Sequence, residues 1–266
     1  MLENANYIYL DGTFSVVPEL YFQLYTIHVT YLNHILPAVY VLLPGKKQCL
    51  YKEMLQEIKN LAPNFDPPNV MIDFECGSMK AIRNLFPTSN LYGCFFHLCQ
   101  NIYRSATRFG LKTLYGENES FAQQIRCLPA LAFLSITNVI PTFDEIKAQF
   151  PVEGEPILTY FEENYIGVKS RLSRPRKIPK FDIPLWNVNT NTLQGQHRTN
   201  NVVEGLKKEQ SFVDAQIIQA DADARQARRR EQIRRETRIL NLLNEPTTTN
   251  VEKVMALAQN ISLKSS

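Results

Sequence analysis

Three successive runs rich in Tyr, Val, Ile, Thr and Leu, at residues 7–17, 21–32 and 35–43, open the chain with only short connections between them. That composition predicts β-strands. Connections this short cannot make the crossover that parallel neighbours require, so the three runs are expected to form an antiparallel meander. Beyond them the periodicity changes. Residues 48–62 set Leu50, Met54, Leu55, Ile58 and Leu61 at helical spacing. A proline-rich loop at 64–69 leads into a short apolar strand at 70–74, a helix at 79–85 and a further apolar run at 91–96. The order β-β-β-α-β-α-β predicts an α/β fold, a mixed sheet with helices on its faces.

From residue 98 the character becomes helical. Residues 98–111, 121–134, 142–150 and 156–165 read as helices broken by Gly or Pro, an insertion before the last part of the fold. A basic loop follows at 169–180, where Arg171, Arg174, Arg176 and Lys177 stand among prolines that prevent regular structure; these four are candidates for tracking a nucleic-acid phosphate backbone, with a solvated charged loop as the plain alternative. Residues 186–244 contain an irregular stretch around the single tryptophan and then one long helix, or two, rich in Ala, Gln, Glu and Arg. The expected organisation is therefore a first core part at 1–97, a helical insertion with the basic loop at 98–185, a segment with the long helix at 186–244, and a tail at 245–266.

Three acids sit in unusual settings. Asp11 lies inside the first apolar run and Asp73 ends the run Val70-Met-Ile-Asp73, while Glu204 stands at a helix start in Arg198-Thr-Asn-Asn-Val-Val-Glu204-Gly. A carboxylate on an apolar strand is costly to bury unless it is paired or holds a cation. Two on neighbouring strands repel, and a divalent cation removes that conflict. Each acid also has an ordinary alternative: a turn at Asp11-Gly12, a helix cap at Asp73, and compensation of a helix dipole at Glu204.

The motifs Asp11-Gly-Thr-Phe, Val70-Met-Ile-Asp-Phe-Glu75, Gly93-Cys-Phe-Phe-His-Leu-Cys-Gln-Asn-Ile-Tyr-Arg104 and Arg198-Thr-Asn-Asn-Val-Val-Glu-Gly205 occur in that order. Together they resemble successive signatures of the Mutator-like (MULE) transposases, as do Gln23-Leu-Tyr-Thr-Ile-His28, Pro37-Ala-Val-Tyr-Val-Leu-Leu-Pro44 and Leu185-Trp-Asn-Val188. The resemblance runs over residues 7–205. It implies an RNase H-like core, with Asp11 and Asp73 as the two aspartates and Glu204 as the distal glutamate of a DDE set. It implies a two-metal site for Mg²⁺ or Mn²⁺, hard cations suited to oxygen ligands. Two such ions, about 3.5–4 Å apart, would serve DNA strand cleavage and transfer at the ends of a mobile element. The partners expected are DNA and a second copy of the chain.

Cys94 and His97 form a Cys-x-x-His pair that also matches the family. Structural zinc takes four ligands, and the sequence offers no matching second pair, so a structural or site-shaping role is expected rather than zinc. The plain alternative is a buried Cys94 with His97 capping the sheet edge. The resemblance also implies sequence ahead of the first strand, often a zinc-finger module, which is not seen before Asp11. Relatives carry an aromatic, histidine-containing stretch after the Glu-Gly pair, whereas here Gly205 runs straight into Leu206-Lys-Lys-Glu-Gln210. A shortened, domesticated or degenerate derivative that binds DNA or chromatin without catalysis is the alternative this join suggests.

The formal net charge is +3, yet seven Arg face only two Glu between Arg225 and Arg238, so the basicity is concentrated there. Arg228, Arg229 and Arg230 are candidates for DNA contact or nuclear import, against the commoner reading of a solvated helix with Arg–Glu pairs. The five cysteines are scattered and make no disulfide framework. The longest apolar run, 35–44, is too short for a bilayer, and the first residues lack a signal-peptide pattern. An intracellular, nuclear protein without membrane association is expected.

Overall fold

The computed structural model describes residues 2–13, 17–31, 34–170, 175–196, 198–199 and 215–263, with the side chains of residues 31, 34 and 215–229 left out of that description. The chain divides into two compact units, Met1–His97 with Thr199–Lys207, and Leu98–Arg198 with Lys208–Ser266.

The first unit is built on a five-stranded sheet of order β3-β2-β1-β4-β5. Its strands are β1 (Tyr7–Thr13), β2 (Gln23–Tyr31), β3 (His34–Leu43), β4 (Asn69–Ile72) and β5 (Asn90–Gly93). The expected meander is present: β1 pairs antiparallel with β2, and β2 with β3. A register shift falls between Ile27 and His28, and Pro37 is level with His28 on the edge strand, where a missing N–H leaves no ladder bond unmade inside the sheet. β4 and β5 are added in parallel, each after a helix, which is how parallel neighbours must be joined.

Those helices are α1 (Gln48–Leu61) and α2 (Cys76–Leu85). Helix α1 buries Tyr51, Met54, Leu55 and Ile58, an i, i+3, i+4, i+7 stripe, and α2 buries Ser78, Met79, Ala81 and Ile82. They pack on each other and bond to one face of β2. Gln23 Nε2 donates to the Tyr51 hydroxyl at 2.6 Å, and the Tyr25 hydroxyl lies 2.6 Å from Ser78 Oγ. Gln23, Tyr25 and Ile27 therefore face the helices, and by alternation Leu24, Thr26 and His28 point to the other face. Strand β1 is central, and four consecutive residues, Ile8 to Asp11, are buried. It thus places one acid, Asp11, in a run that is otherwise apolar. The last helix of this region, α3 (Phe95–Arg108), starts two residues after β5, and the first unit ends at its His97.

The second unit is helical. It includes α4 (Lys112–Glu117), α5 (Glu119–Ala130), α6 (Ile136–Ala148), α7 (Glu155–Phe161), α8 (Ile183–Trp186), α9 (Asn189–Leu193), α10 (Ala215–Asn244) and α11 (Asn250–Ala258). Helix α11 begins with a capping box between Thr249 and Glu252 and packs against α5 and α6. An aromatic cluster of Phe143, Phe161, Tyr165, Phe181 and Trp186 forms part of the core, and the buried Trp186 Nε1 donates to Tyr165 O at 3.1 Å. Glycine is required at 167, where φ is +91° and a Cβ would lie 2.0 Å from Lys177 O. No described helix is long and apolar enough to cross a membrane.

Candidate metal centre

The register of the sheet builds the site. Strands β1 and β4 run parallel, with Tyr9 level with Met71. Two residues on, and on the same face because side chains alternate, come Asp11 and Asp73. The two acids therefore stand beside each other at the C-terminal ends of adjacent parallel strands, where the crossovers leave a crevice. Strand β5 extends the row. Ile72 is level with Gly93, and the Cys94 N–H donates to Ile72 O at 2.9 Å, which sets Cys94 next to Asp73. Because α3 starts at Phe95, His97 falls in its first turn, and the N-terminal tilt of helical Cα–Cβ bonds sends its ring back toward the strand ends. The Cys-x-x-His spacing thus delivers an imidazole to the acids. His97 Nδ1 lies 2.6 Å from Asp73 Oδ1. Donor atoms of Asp11, Asp73 and His97 all lie within 4.8 Å of one another.

Such a cluster is electrostatically tense. Two carboxylates at that spacing repel by about 3 kcal/mol at an effective dielectric constant of ~20, and Asp11 is only 4% exposed. Burial pushes the Asp73 carboxyl above its ordinary range. His97 pulls it down, Asp11 and Glu75 push it up again, and the net direction is upward. Burial alone would depress the His97 imidazolium, but the Asp73 carboxylate, with help from Cys94, raises its pKa to about 11.

Two observations connect this cluster to a cation. Asp73 Oδ1 and His97 Nδ1 are both buried and lie 2.6 Å apart. They make an ion pair beside Asp11, and a cation among the three donor atoms would satisfy them all. On the other side of Asp11, Thr26 is directly opposite across the β1–β2 ladder, fully buried, and its Oγ1 has no hydrogen-bond partner. Orphaned buried polar atoms are rare and call for an unseen ion or water. The donor set, two carboxylates and an imidazole, fits a divalent cation of the Mg²⁺ to Mn²⁺ class.

Behind the row, Glu75 anchors the turn from β4 into α2. Lys46 Nζ reaches Glu75 Oε1 at 2.9 Å, and the Tyr51 hydroxyl donates to Glu75 Oε2. Burial first, and that bond second, push the Tyr51 phenol well above its ordinary value, so it stays a donor. The Glu75 N–H donates to Asp73 O at 2.7 Å, which ties the anchor to the backbone of Asp73 itself.

Cys94 is buried in an apolar cluster with Tyr9, Ile35 and Met71, and among the described residues the donor cluster is Asp11, Asp73 and His97. Cys94 also interacts with the His97 imidazole, so the Cys-x-x-His pair stays together at the site, with Cys94 reaching into the apolar core and His97 facing Asp73. Sequence reasoning gives His97 a site-shaping role and passes over Thr26 and Glu75. For His97 the usable signal is its position four residues past the end of β5, next to Asp73.

Glu204, Arg171 and Arg174 lie outside the described residues. Arg176 has partners within the protein. It is one of the candidates for phosphate contact, and in the structure it bridges Glu162 at 2.9 Å and Asp144 and donates to Gly167 O at 2.7 Å. Its guanidinium is committed inside the second unit, because Glu162, 6% exposed, needs cations around it. Lys177 is exposed. Arg228 and Arg229 belong to α10 without described side chains, and Arg230 is exposed on it.

No curated protein matches the chain. Residues 7–101 match the family model of the MULE transposase domain. The matched segment contains the whole sheet of the first unit and the row of Asp11, Asp73, Cys94 and His97, and the match ends before Glu204. Over residues 7–101, therefore, this chain is similar to the MULE transposase domain.

Proposed function

We propose that the chain is the catalytic core of a DDE-type transposase that cleaves and transfers DNA strands at mobile-element ends, on an RNase H-like sheet. The observation that carries this reading is that Asp11 on β1 and Asp73 just past β4 stand side by side, with donor atoms of both and of His97 within 4.8 Å of one another and the unpartnered Thr26 Oγ1 opposite Asp11. Strand order β3-β2-β1-β4-β5, with an antiparallel meander followed by two parallel additions, supports the RNase H-like assignment.

In this reading Asp11 and Asp73 hold the divalent cation, and Glu204 completes the acidic set by its motif. When bound, the cation supplies an activated water or 3′-hydroxyl and stabilises the leaving oxygen of a phosphodiester. The chain's own residues do the positioning. The β1–β4 register fixes the spacing of the two carboxylates, and the Glu75 anchor holds the backbone that carries Asp73. DNA is the substrate, a second copy of the chain the expected partner, and the nucleus the expected place of action.

The test is nicking of supercoiled DNA by the full chain with Mg²⁺ or Mn²⁺. Asp11→Asn and Asp73→Asn should each reduce it on the order of 10²-fold or more, since even a ~1 Å misplacement of such a group costs that much. Nicking by the double variant at the wild-type rate would refute the proposal. A second reading, DNA binding without catalysis, draws on the exposed Arg230 and Arg234 of α10. It predicts salt-sensitive binding that survives both substitutions.

A further inference from the structure

We infer that His97 is itself a ligand of the cation held by Asp11 and Asp73, through Nδ1, and that this nitrogen donor biases the site toward Mn²⁺ over Mg²⁺. The inference rests on the metal-site reading above and goes one residue beyond it. Here Nδ1 and Asp73 Oδ1 are buried and in contact at 2.6 Å, at the C-terminal end of the strand beside Asp11. Donor atoms of all three residues fall within 4.8 Å of one another. Independently, the fully buried Thr26 keeps an unpartnered hydroxyl on the same face, directly opposite Asp11. A buried hydroxyl in that place is suited to a water or ion of the site rather than to protein.

The chemistry follows from the donor set. Mg²⁺ prefers oxygen ligands and keeps much of its water, whereas imidazole suits the later first-row ions, and affinity for nitrogen-containing sites rises along that series. Replacing one oxygen donor by a nitrogen therefore raises Mn²⁺ affinity relative to Mg²⁺. The helix supplies the nitrogen at no cost in reach, because position 97 lies in the first turn of α3, next to the end of β4.

Pulsed electron paramagnetic resonance of Mn²⁺ bound to the full chain reads this out without any activity measurement. The wild type should show nitrogen modulation from a coordinated imidazole, and labelling its four histidines with ¹⁵N should convert that signal, which requires no variant to fold. In His97→Asn the modulation should vanish and Mn²⁺ affinity should fall about tenfold or more, at least what loss of an outer-shell partner costs. Mg²⁺ affinity should fall less. Mn²⁺ binding that depends on Asp11 and Asp73 but shows no nitrogen modulation would overturn the role of His97 and leave the proposed function standing. Modulation that persists in His97→Asn would assign the nitrogen to another histidine and also overturn it. Mn²⁺ binding indifferent to Asp11→Asn and Asp73→Asn would remove both readings.

Discussion

At the residue scale the site is decided by which atoms are left without partners. Thr26 illustrates this. Its Oγ1 is buried, bonded to nothing, and opposite Asp11. In the metal-free protein that hydroxyl contributes no stability, because an unmade bond leaves the full cost of desolvation. Thr26→Val keeps the shape and removes the cost, so metal-free stability should stay level or rise by up to about 1 kcal/mol. A thermal melt that instead shows a loss of that size would mean the hydroxyl is bonded after all. Arg176 is the opposite case. It holds Glu162 and Asp144 together, and Arg176→Ala should destabilise by about 2–3 kcal/mol. That is less than the ~3–5 kcal/mol for a fully buried pair, since Lys147 still faces Glu162 and Asp144 keeps solvent. Denaturant unfolding measures it.

At the element scale the seating of α2 matters most. Gly77, in its first turn, faces the start of α1, where a Cβ would lie 2.6 Å from Lys46 O and 3.3 Å from Gln48 N. Alanine is the better helix former by about 1 kcal/mol, but the clash is with backbone and cannot be relieved by a rotamer. Gly77→Ala should therefore destabilise by about 1–3 kcal/mol. Because Asp73 and Glu75 lead directly into this helix, it should also weaken Mn²⁺ binding, which calorimetric titration detects. Helix α10 bears on DNA rather than on the metal. Its Arg230, Arg234 and Arg235 are exposed, although Arg235 also donates to Asn260 O. If α10 tracks a DNA backbone, neutralising Arg228, Arg229 and Arg230 should lower the salt slope of binding by about 0.9 for each phosphate that no longer meets an arginine. An unchanged slope would make α10 a solvated helix.

At the scale of the whole molecule, the five thiols divide between the units and report on each. Cys49 is exposed, whereas Cys94, Cys99 and Cys127 are buried. Burial pushes the Cys127 thiol up to about 12, with Arg126 only partly opposing it. At neutral pH a thiol reagent should label Cys49 at once, and reach Cys94 only when the first unit opens and Cys127 only when the second does. Mass spectrometry along a thermal ramp follows both. Much of this organisation is legible in the residues themselves. Clustered β-branched and aromatic residues mark the strands, short connections force the meander, and the setting of Asp11 and Asp73 in apolar runs singles them out. Register is what they do not carry. Nothing in the spacing of residues 11 and 73 says they are level, since that depends on Tyr9 meeting Met71 across two hairpins and a helical crossover. Nor does composition show that Arg176 turns inward, because its partners Glu162 and Asp144 come from other helical segments. His97 stands out in the sequence for its pairing with Cys94, but its working partner is Asp73.

Everything proposed for this chain depends on the level pair Asp11 and Asp73 holding a cation, and crystals of the full chain grown or soaked with Mn²⁺ test that most directly. The expected result is an anomalous-scattering peak between the two carboxylates, about 2.1 Å from an oxygen of each. Ordered Mn²⁺ found only elsewhere, or Asp11 and Asp73 on strands that are not neighbours, would contradict it.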